Sequence, residues 1–278
     1  MSVVTRFAPS PNGPLHLGHA YSAVIAEYEA RVRGGNFLLR IEDIDGPRSR
    51  SEFADEFRRD LDWLGLEWRE VPAQSTRLGR YRSAAGRLER DGLLYKCTAT
   101  RREIGALPPR RGEDGVLYPG SPKSIARPPA TGEAFAMRLD VDAAMARVGA
   151  LIWEDRADGA IICDPREFGD VVLVRKDLPA SYHLAATLDD AADAITLVTR
   201  GEDLFTSTHI HRLLQALLEL PVPRYFHHDL ILDDDGSKLA KSRGSPALSD
   251  RRKSGDDGLA LAQELLERFL KRQNKAGT

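Results

Sequence analysis

The chain is 278 residues long, 42% hydrophobic and 29% charged, with a formal net charge of −2. That length can bury a core in one large domain or two smaller ones, and the composition excludes a disordered or fibrous polymer. No run approaches the ~18 apolar residues of a membrane span, the near-neutral charge argues against indiscriminate nucleic-acid binding, and two cysteines are too few for a disulfide framework.

In chain order, Val3–Phe7 reads as a short buried strand, and a Pro/Gly/Ser-rich loop runs from Ala8 to Gly18. A helix is predicted over about 19–33, ending at Gly34-Gly35, and Phe37–Ile41 is a second strand. Strand, glycine-bearing loop, helix and strand make a βαβ unit, which implies a parallel sheet with a right-handed crossover. Ligands of such sheets bind beyond the carboxyl ends of the strands. Here that crest carries the Pro9–His19 loop and Glu42-Asp43-Ile44-Asp45. Helices are predicted over 51–64 and 77–91.

From about Tyr95 to Ala130 arginines and prolines mix, as in an irregular insertion. Sheet-like runs resume at Ala134–Leu139, Ala160–Cys163 and Val171–Arg175. A helix from Tyr182 leads to a strand, Ala194–Thr199, which ends at Arg200-Gly-Glu-Asp203. A helix over Thr208–Leu218 and a strand-like His228–Leu232 precede a lysine-bearing loop. Ser245–Gly258 reads as polar and flexible, and Leu259–Lys271 as an amphipathic helix.

His16 and His19 bracket Gly18 at the entry to the first helix. A metal site needs a third ligand, and none is near in sequence. A helix N-terminus binds anions, imidazoles can donate to phosphate oxygens, and a glycine lets a planar base approach the backbone. The run does not match the P-loop. Lys238 and Lys241 follow the acidic turn Asp233-Asp-Asp-Gly236-Ser237. An isolated Lys-x-x-Lys is ordinarily solvated, but point charges on a closing loop stabilise pyrophosphate as charge shifts onto it. Arg6, Glu42 and Arg200 each end a predicted strand. Guanidinium donors and an acidic acceptor on one crest suit a ligand that carries both carboxylate and ammonium groups. The bland alternative for Glu42, Asp43 and Asp45 is a salt-bridge cluster with Arg40 and Arg48, favoured for Asp45 and less so for Glu42.

His16-Leu-Gly-His19 and Lys238-Leu-Ala-Lys-Ser242 resemble the HIGH and KMSKS signatures of class I aminoacyl-tRNA synthetases. Arg6-Phe-Ala-Pro-Ser-Pro-Asn-Gly-Pro-Leu-His16 and Arg40-Ile-Glu-Asp-Ile-Asp45 resemble the glutamyl branch. The resemblance runs from Arg6 to about Ser242 and stops before the anticodon-binding region of glutamyl-tRNA synthetases. A catalytic body without that region resembles the glutamyl-Q tRNA(Asp) synthetase family, and Ile44, where full-length enzymes usually carry Thr, leans the same way.

The resemblance implies an α/β fold: a class I Rossmann-type parallel sheet with a small inserted domain and a C-terminal helical tail. Residues 1–94 and 181–230 would form the two halves of the nucleotide-binding domain, 95–180 an acceptor-like insertion, and 231–278 the lysine loop and tail. It implies that Arg6, Ala8, Ser10, Tyr182 and Arg200 bind glutamate, with Glu42 receiving the α-ammonium. His16, Gly18, His19 and Lys241 would bind ATP, and His16, His19, Lys238 and Lys241 would stabilise charge during the reaction. ATP is expected to bring magnesium. The expected partners are L-glutamate, ATP and queuosine-bearing tRNA(Asp), and the expected state is a cytoplasmic monomer. Three alternatives stand: a synthetase charging a tRNA 3′ end, an adenylate-forming enzyme with a small-molecule or protein acceptor, and a non-catalytic RNA-binding paralogue.

The family often holds zinc in its insertion through Cys-x-Cys and Tyr-x-x-x-Cys. Here Cys97-Thr-Ala99 and Tyr118-Pro-Gly-Ser-Pro122 keep two of those four ligands, so no structural zinc is expected. Cys163, in an apolar run, is expected to be a buried small hydrophobe. Trp63, Trp68 and Trp153 could stack on RNA bases, but packing is the expected role.

Overall fold

The structure, a computed structural model, describes residues 2–111, 117–231 and 246–276. The chain divides into two compact units. Met1–Thr76, Asp193–Asp203 and Pro223–Thr278 form the first, and Arg77–Ala192 with Leu204–Val222 form the second.

The chain opens in the first unit with β1 (Val4–Phe7), α1 (Leu17–Arg31) and β2 (Asn36–Leu39). β1 and β2 pair in parallel, Val4 opposite Asn36 through Phe7 opposite Leu39, as the βαβ pattern predicts. Small residues on α1 (Ala20, Ala23, Ala26 and Ala30, all buried) let the helix lie close on the sheet, and Thr5 Oγ1 donates to the Ala26 carbonyl at 2.7 Å. The return turn needs its two glycines. Gly34 has φ +60, and a Cβ on Gly35 would lie 1.9 Å from the Val3 carbonyl oxygen. α2 (Ser51–Trp63) then leads to β3 (Arg69–Glu70), which adds in parallel to β2.

In the second unit the chain forms α3 (Leu78–Arg90), β4 (Leu94–Cys97), α4 (Arg101–Gly105), and the short pair β5 (Arg110–Arg111) and β6 (Leu117–Tyr118). It continues through β7 (Ala136–Leu139), α5 (Val141–Val148), the hairpin β8 (Ile152–Asp155) and β9 (Gly159–Ile162), β10 (Val172–Val174) and α6 (Tyr182–Ala192). β10, β7 and β4 form an antiparallel sheet. The irregular 95–130 stretch therefore contains paired strands, with Cys97 opposite Ala136. A polar clasp ties this region together: Asp170 accepts from Tyr95 Oη at 2.9 Å, from Ser121 Oγ, and from the Val141 amide at 3.0 Å. Burial and the Asp170 carboxylate push the Tyr95 phenol up. Zinc does not fit the donor set here, because Ala99 and Pro122 stand where two ligands would be needed, Pro122 buried in a short helical turn.

β11 (Leu197–Gly201), α7 (Ser207–Leu218) and β12 (Arg224–His228) follow, α7 in the second unit and the parallel strands β11 and β12 in the first. β11 runs beside β1: the Thr196 amide donates to the Val4 carbonyl at 3.0 Å, and the Val4 amide donates to Thr196 Oγ1 at 2.8 Å. The strands of the first unit thus follow the order β3-β2-β1-β11-β12. The order reverses between β1 and β11, the switch point at which doubly wound sheets bind ligands. β12 lies four residues earlier than the predicted His228–Leu232, with Tyr225 and Phe226 buried on its two faces.

α8 (Leu248–Ser254) and α9 (Gly258–Ala276) close the unit. α8 occupies part of the stretch read as flexible. Leu248 is fully buried, and Arg252 pairs with Glu56 and, at 3.2 Å, with Asp60 on α2. α9 buries Leu261, Leu265 and Phe269, the predicted apolar stripe, with the Phe269 ring 6.0 Å from Tyr28. Trp63 and Trp68 pack against this core, and Trp153 is buried in the second unit, its Nε1 donating to His209 Nδ1 at 3.3 Å. Cys163 is buried there too, its thiol pushed up to about 12 by burial. Among the described residues no helix is long and apolar enough to cross a membrane, and no group of three His, Cys, Asp or Glu could hold a metal.

Candidate active site

The loop after β1 is held as a continuation of the sheet edge. The Arg40 amide donates to Phe7, Glu42 to Pro9 and Arg50 to Pro11, at 3.0, 3.1 and 2.9 Å. Each proline offers a carbonyl but no N–H, so the loop can accept these bonds without continuing as a strand. Half-buried Ala8 and Ser10 lie between the clamped carbonyls, and fully buried Leu15 anchors the far end.

His16 is the N-cap of α1, so the helix starts at Leu17, two residues before the sequence signal. The Gly18 amide donates to His16 Nδ1 at 3.1 Å, and the His16 amide donates to His19 Nδ1 at 3.1 Å. This is a capping box built from imidazoles in place of the usual hydroxyl and carboxylate. Its chemical consequence is a fixed tautomer: with Nδ1 accepting in both rings, the proton of each neutral imidazole resides on Nε2. The rings stand 3.8 Å apart, and no acidic residue occupies the first turn. The helix end thus keeps its positive potential and adds two N–H donors, a setting for phosphate.

Arg6 and Arg200 end the two strands that flank the switch point, and both are buried. Arg6 Nη1 donates to the Thr199 carbonyl at 3.1 Å. Arg200 Nε donates to His227 Nε2 at 3.1 Å, and its guanidinium lies 5.5 Å from the centre of the Tyr225 ring. Two cationic groups at adjacent strand ends suit a dicarboxylic ligand. Glu42 is buried three residues past β2 and pairs with Arg40 at 3.1 Å; Arg40 also pairs with Asp193 at 3.2 Å. Arg40 has no exposed surface, so the pair is a desolvated network and more than a surface cluster. Asp45 pairs with Arg48 at 3.4 Å on the exposed rim, and Asp43 accepts from the Ser75 amide and hydroxyl at 2.8 and 2.6 Å.

Arg6, Ala8, Ser10, His16, Gly18, His19, Glu42 and Arg200 all belong to the first unit, whereas Tyr182 opens α6 in the second, its ring 5.5 Å from those of His183 and His211. Lys238 and Lys241 lie outside the described residues. The chain re-enters at Ala247, which forms an antiparallel bridge with His16, and the Leu248 amide donates to the Leu15 carbonyl at 2.9 Å. Sequence reasoning missed Asp193 and His227 as partners. Arg40-Ile-Glu42 carried a signal, since residues two apart on a strand share a face.

The chain belongs to the class I tRNA synthetases: the family model of the glutamate and glutamine (E and Q) catalytic domain matches residues 2–276. It is accordingly a ligase of the glutamate–tRNA branch. It is 47% identical over 270 residues to a glutamyl-Q tRNA(Asp) synthetase of Rhodobacter capsulatus, covering 91% of this chain and 96% of that one. A protein of the same name from Symbiobacterium thermophilum is 39% identical, covering 90% of this chain and 81% of the relative. The glutamate–tRNA ligase of Aquifex aeolicus is 36% identical, and the match spans 54% of its length. Among solved structures, a glutamate tRNA ligase from Elizabethkingia meningosepticum in complex with its amino acid aligns with TM-score 0.69 at 27% identity, covering 92% of this chain and about half (53%) of that one.

Proposed function

We propose that the chain activates L-glutamate with ATP and transfers it to queuosine in the anticodon loop of tRNA(Asp). The α-carboxylate of glutamate attacks the α-phosphate of ATP, pyrophosphate leaves, and glutamyl-adenylate forms. A hydroxyl of the queuosine cyclopentene ring then attacks the acyl carbon and AMP leaves. No protein nucleophile is needed, so catalysis rests on positioning and charge stabilisation.

In this reading Arg6, Ala8, Ser10 and Arg200 hold glutamate, and Glu42, paired with Arg40, receives its ammonium. His16, Gly18 and His19 present Nε2–H groups and a helix end to the phosphates. Lys238 and Lys241 add charge to the departing pyrophosphate. Magnesium arrives with ATP as part of the substrate. The observation that carries the reading is the convergence of Arg6, Arg200, Glu42 and the imidazole-capped helix on one crest at the switch point of the sheet. The names of the relatives support the queuosine acceptor.

The test is transfer of labelled glutamate to purified tRNA(Asp) with and without queuosine. Labelling of the queuosine form alone is expected. Labelling of both forms at the 3′ end would instead make the chain a charging enzyme, the reading its glutamate–tRNA ligase relatives favour.

A further inference from the structure

We propose that the groove between α3 and the β10–β7–β4 sheet is an RNA-docking site that takes one unstacked nucleobase, with the neighbouring phosphates on the arginines of α3. This rests on the reading of a tRNA as acceptor and adds where that RNA is gripped.

α3 buries Tyr81, Ala85 and Leu88. At 100° per residue Ser83, Arg87 and Arg90 share the opposite face, with Arg82 and Gly86 on the flank that lines the groove and Arg80 on the other flank. Arg87 pairs with Glu219, whose side chain is mostly exposed. Arg80, Arg82 and Arg90 have no carboxylate partner among the described residues, unlike Arg58, Arg127, Arg166 and Arg175. Arg87 and Arg90, three apart, are like-charged neighbours that repel in the free protein, and a polyphosphate backbone relieves them. On a chain of net charge −2 this is a local cationic strip.

Beside the strip lies a groove of about 300 Å³. Arg82 and Gly86 line it from α3, and Lys96, Met137 and Val174 line it from the sheet together with Phe135. That volume is at the small end for a ligand pocket and suits one ring system. Lys96 and Met137 face each other across the β4–β7 ladder, and Lys96 Nζ lies 4.9 Å from the centre of the Phe135 ring. The ring is half-buried and can stack on a base, and Lys96 can exchange the ring face for a phosphate. Glu89 on the same rim repels a phosphate at the mouth and accepts from a base amine, which favours a base inside the groove and phosphates outside it. Gly86 leaves room on the α3 side, and Arg90 Nη1 lies 3.6 Å from where its Cβ would stand, which sets that arginine beside the groove.

The probe is purified tRNA(Asp), with binding read by the fluorescence of Phe135→Trp and by filter retention across a salt series. Stacking is expected to quench the tryptophan. Phe135→Leu, which keeps the apolar volume, is expected to weaken binding about 5- to 150-fold. The double change Arg82→Gln, Arg90→Gln is expected to lower the slope of log Kd against log salt by about 0.7–0.9 for each phosphate no longer neutralised. Glutamate-dependent ATP–pyrophosphate exchange should be unchanged in each variant. Unchanged affinity and slope, absence of quenching, or an equal loss of exchange would overturn the proposal. If the wild type transfers glutamate to no tRNA yet binds it through Phe135, the acceptor reading fails and the docking site stands.

Discussion

At the scale of single residues, the two histidines do structural and chemical work with different nitrogens. Nδ1 caps the helix, and Nε2 is thereby left carrying the proton. Gly18 is the tight point, because a Cβ there would stand 3.1 Å from His16 Cε1 and 3.2 Å from Nδ1. Gly18→Ala is expected to push the ring off its cap, costing about 1 kcal/mol of stability. It should lower kcat/KM for pyrophosphate exchange by about 10²-fold through misaligned donors; thermal melts and exchange kinetics check the two parts separately. Arg40 presents the opposite case, a cation with no exposed surface serving Glu42 and Asp193. Arg40→Leu leaves two buried carboxylates facing apolar atoms. Urea unfolding should show a loss of about 3–5 kcal/mol, partly restored by adding Glu42→Gln. The histidines and Arg6 were legible as types at a spacing. Asp193 was not, because its partner lies far away in the chain and only the folded sheet brings the two together.

At the scale of elements, local pattern was readable where an apolar stripe or a glycine turn recurs. It explains the agreement for β1 and β2, short apolar runs buried continuously, for α1, which ends at its glycine turn, and for α9, which buries one apolar stripe. α8 was hidden, since one buried leucine and an ion pair to α2 hold it. That ion pair has a pH signature. Burial pushes Asp60 from its ordinary 3.8 up to about 6, against the opposing pull of Arg252. A carboxyl whose folded pKa is raised binds its proton more tightly in the folded state, so its contribution is fully present below about pH 4 and is lost as pH rises through 6. The loss is about 3 kcal/mol. Asp60→Asn keeps an acceptor for Arg252 and should gain stability over wild type between pH 4 and 7, measured by chemical unfolding at each pH. In the insertion, the Asp170 clasp joins Tyr95, Ser121 and Val141 by hydrogen bonds, and the donor set lacks two of the four zinc ligands. Stripping divalent ions with a zinc chelator should therefore leave the unfolding transition where it was.

At the scale of the whole molecule, the doubly wound strand order was only implied by the first βαβ unit. The order itself depends on β11 lying beside β1, a long-range choice fixed by Thr196 against Val4 and by Arg6 against Thr199. No local pattern reports it. The same choice sets the strand ends that carry Arg6 and Arg200 side by side, and the Leu15–Leu248 bond returns the C-terminal part of the chain to the capped helix. A crystal structure with a non-hydrolysable glutamyl-adenylate analogue tests the shared crest most directly. The acyl-phosphate mimic is expected over Gly18 at the N-terminus of α1, with the glutamyl side chain between Arg6 and Arg200. An analogue bound away from the β1–β11 crest, with those arginines untouched, would contradict it.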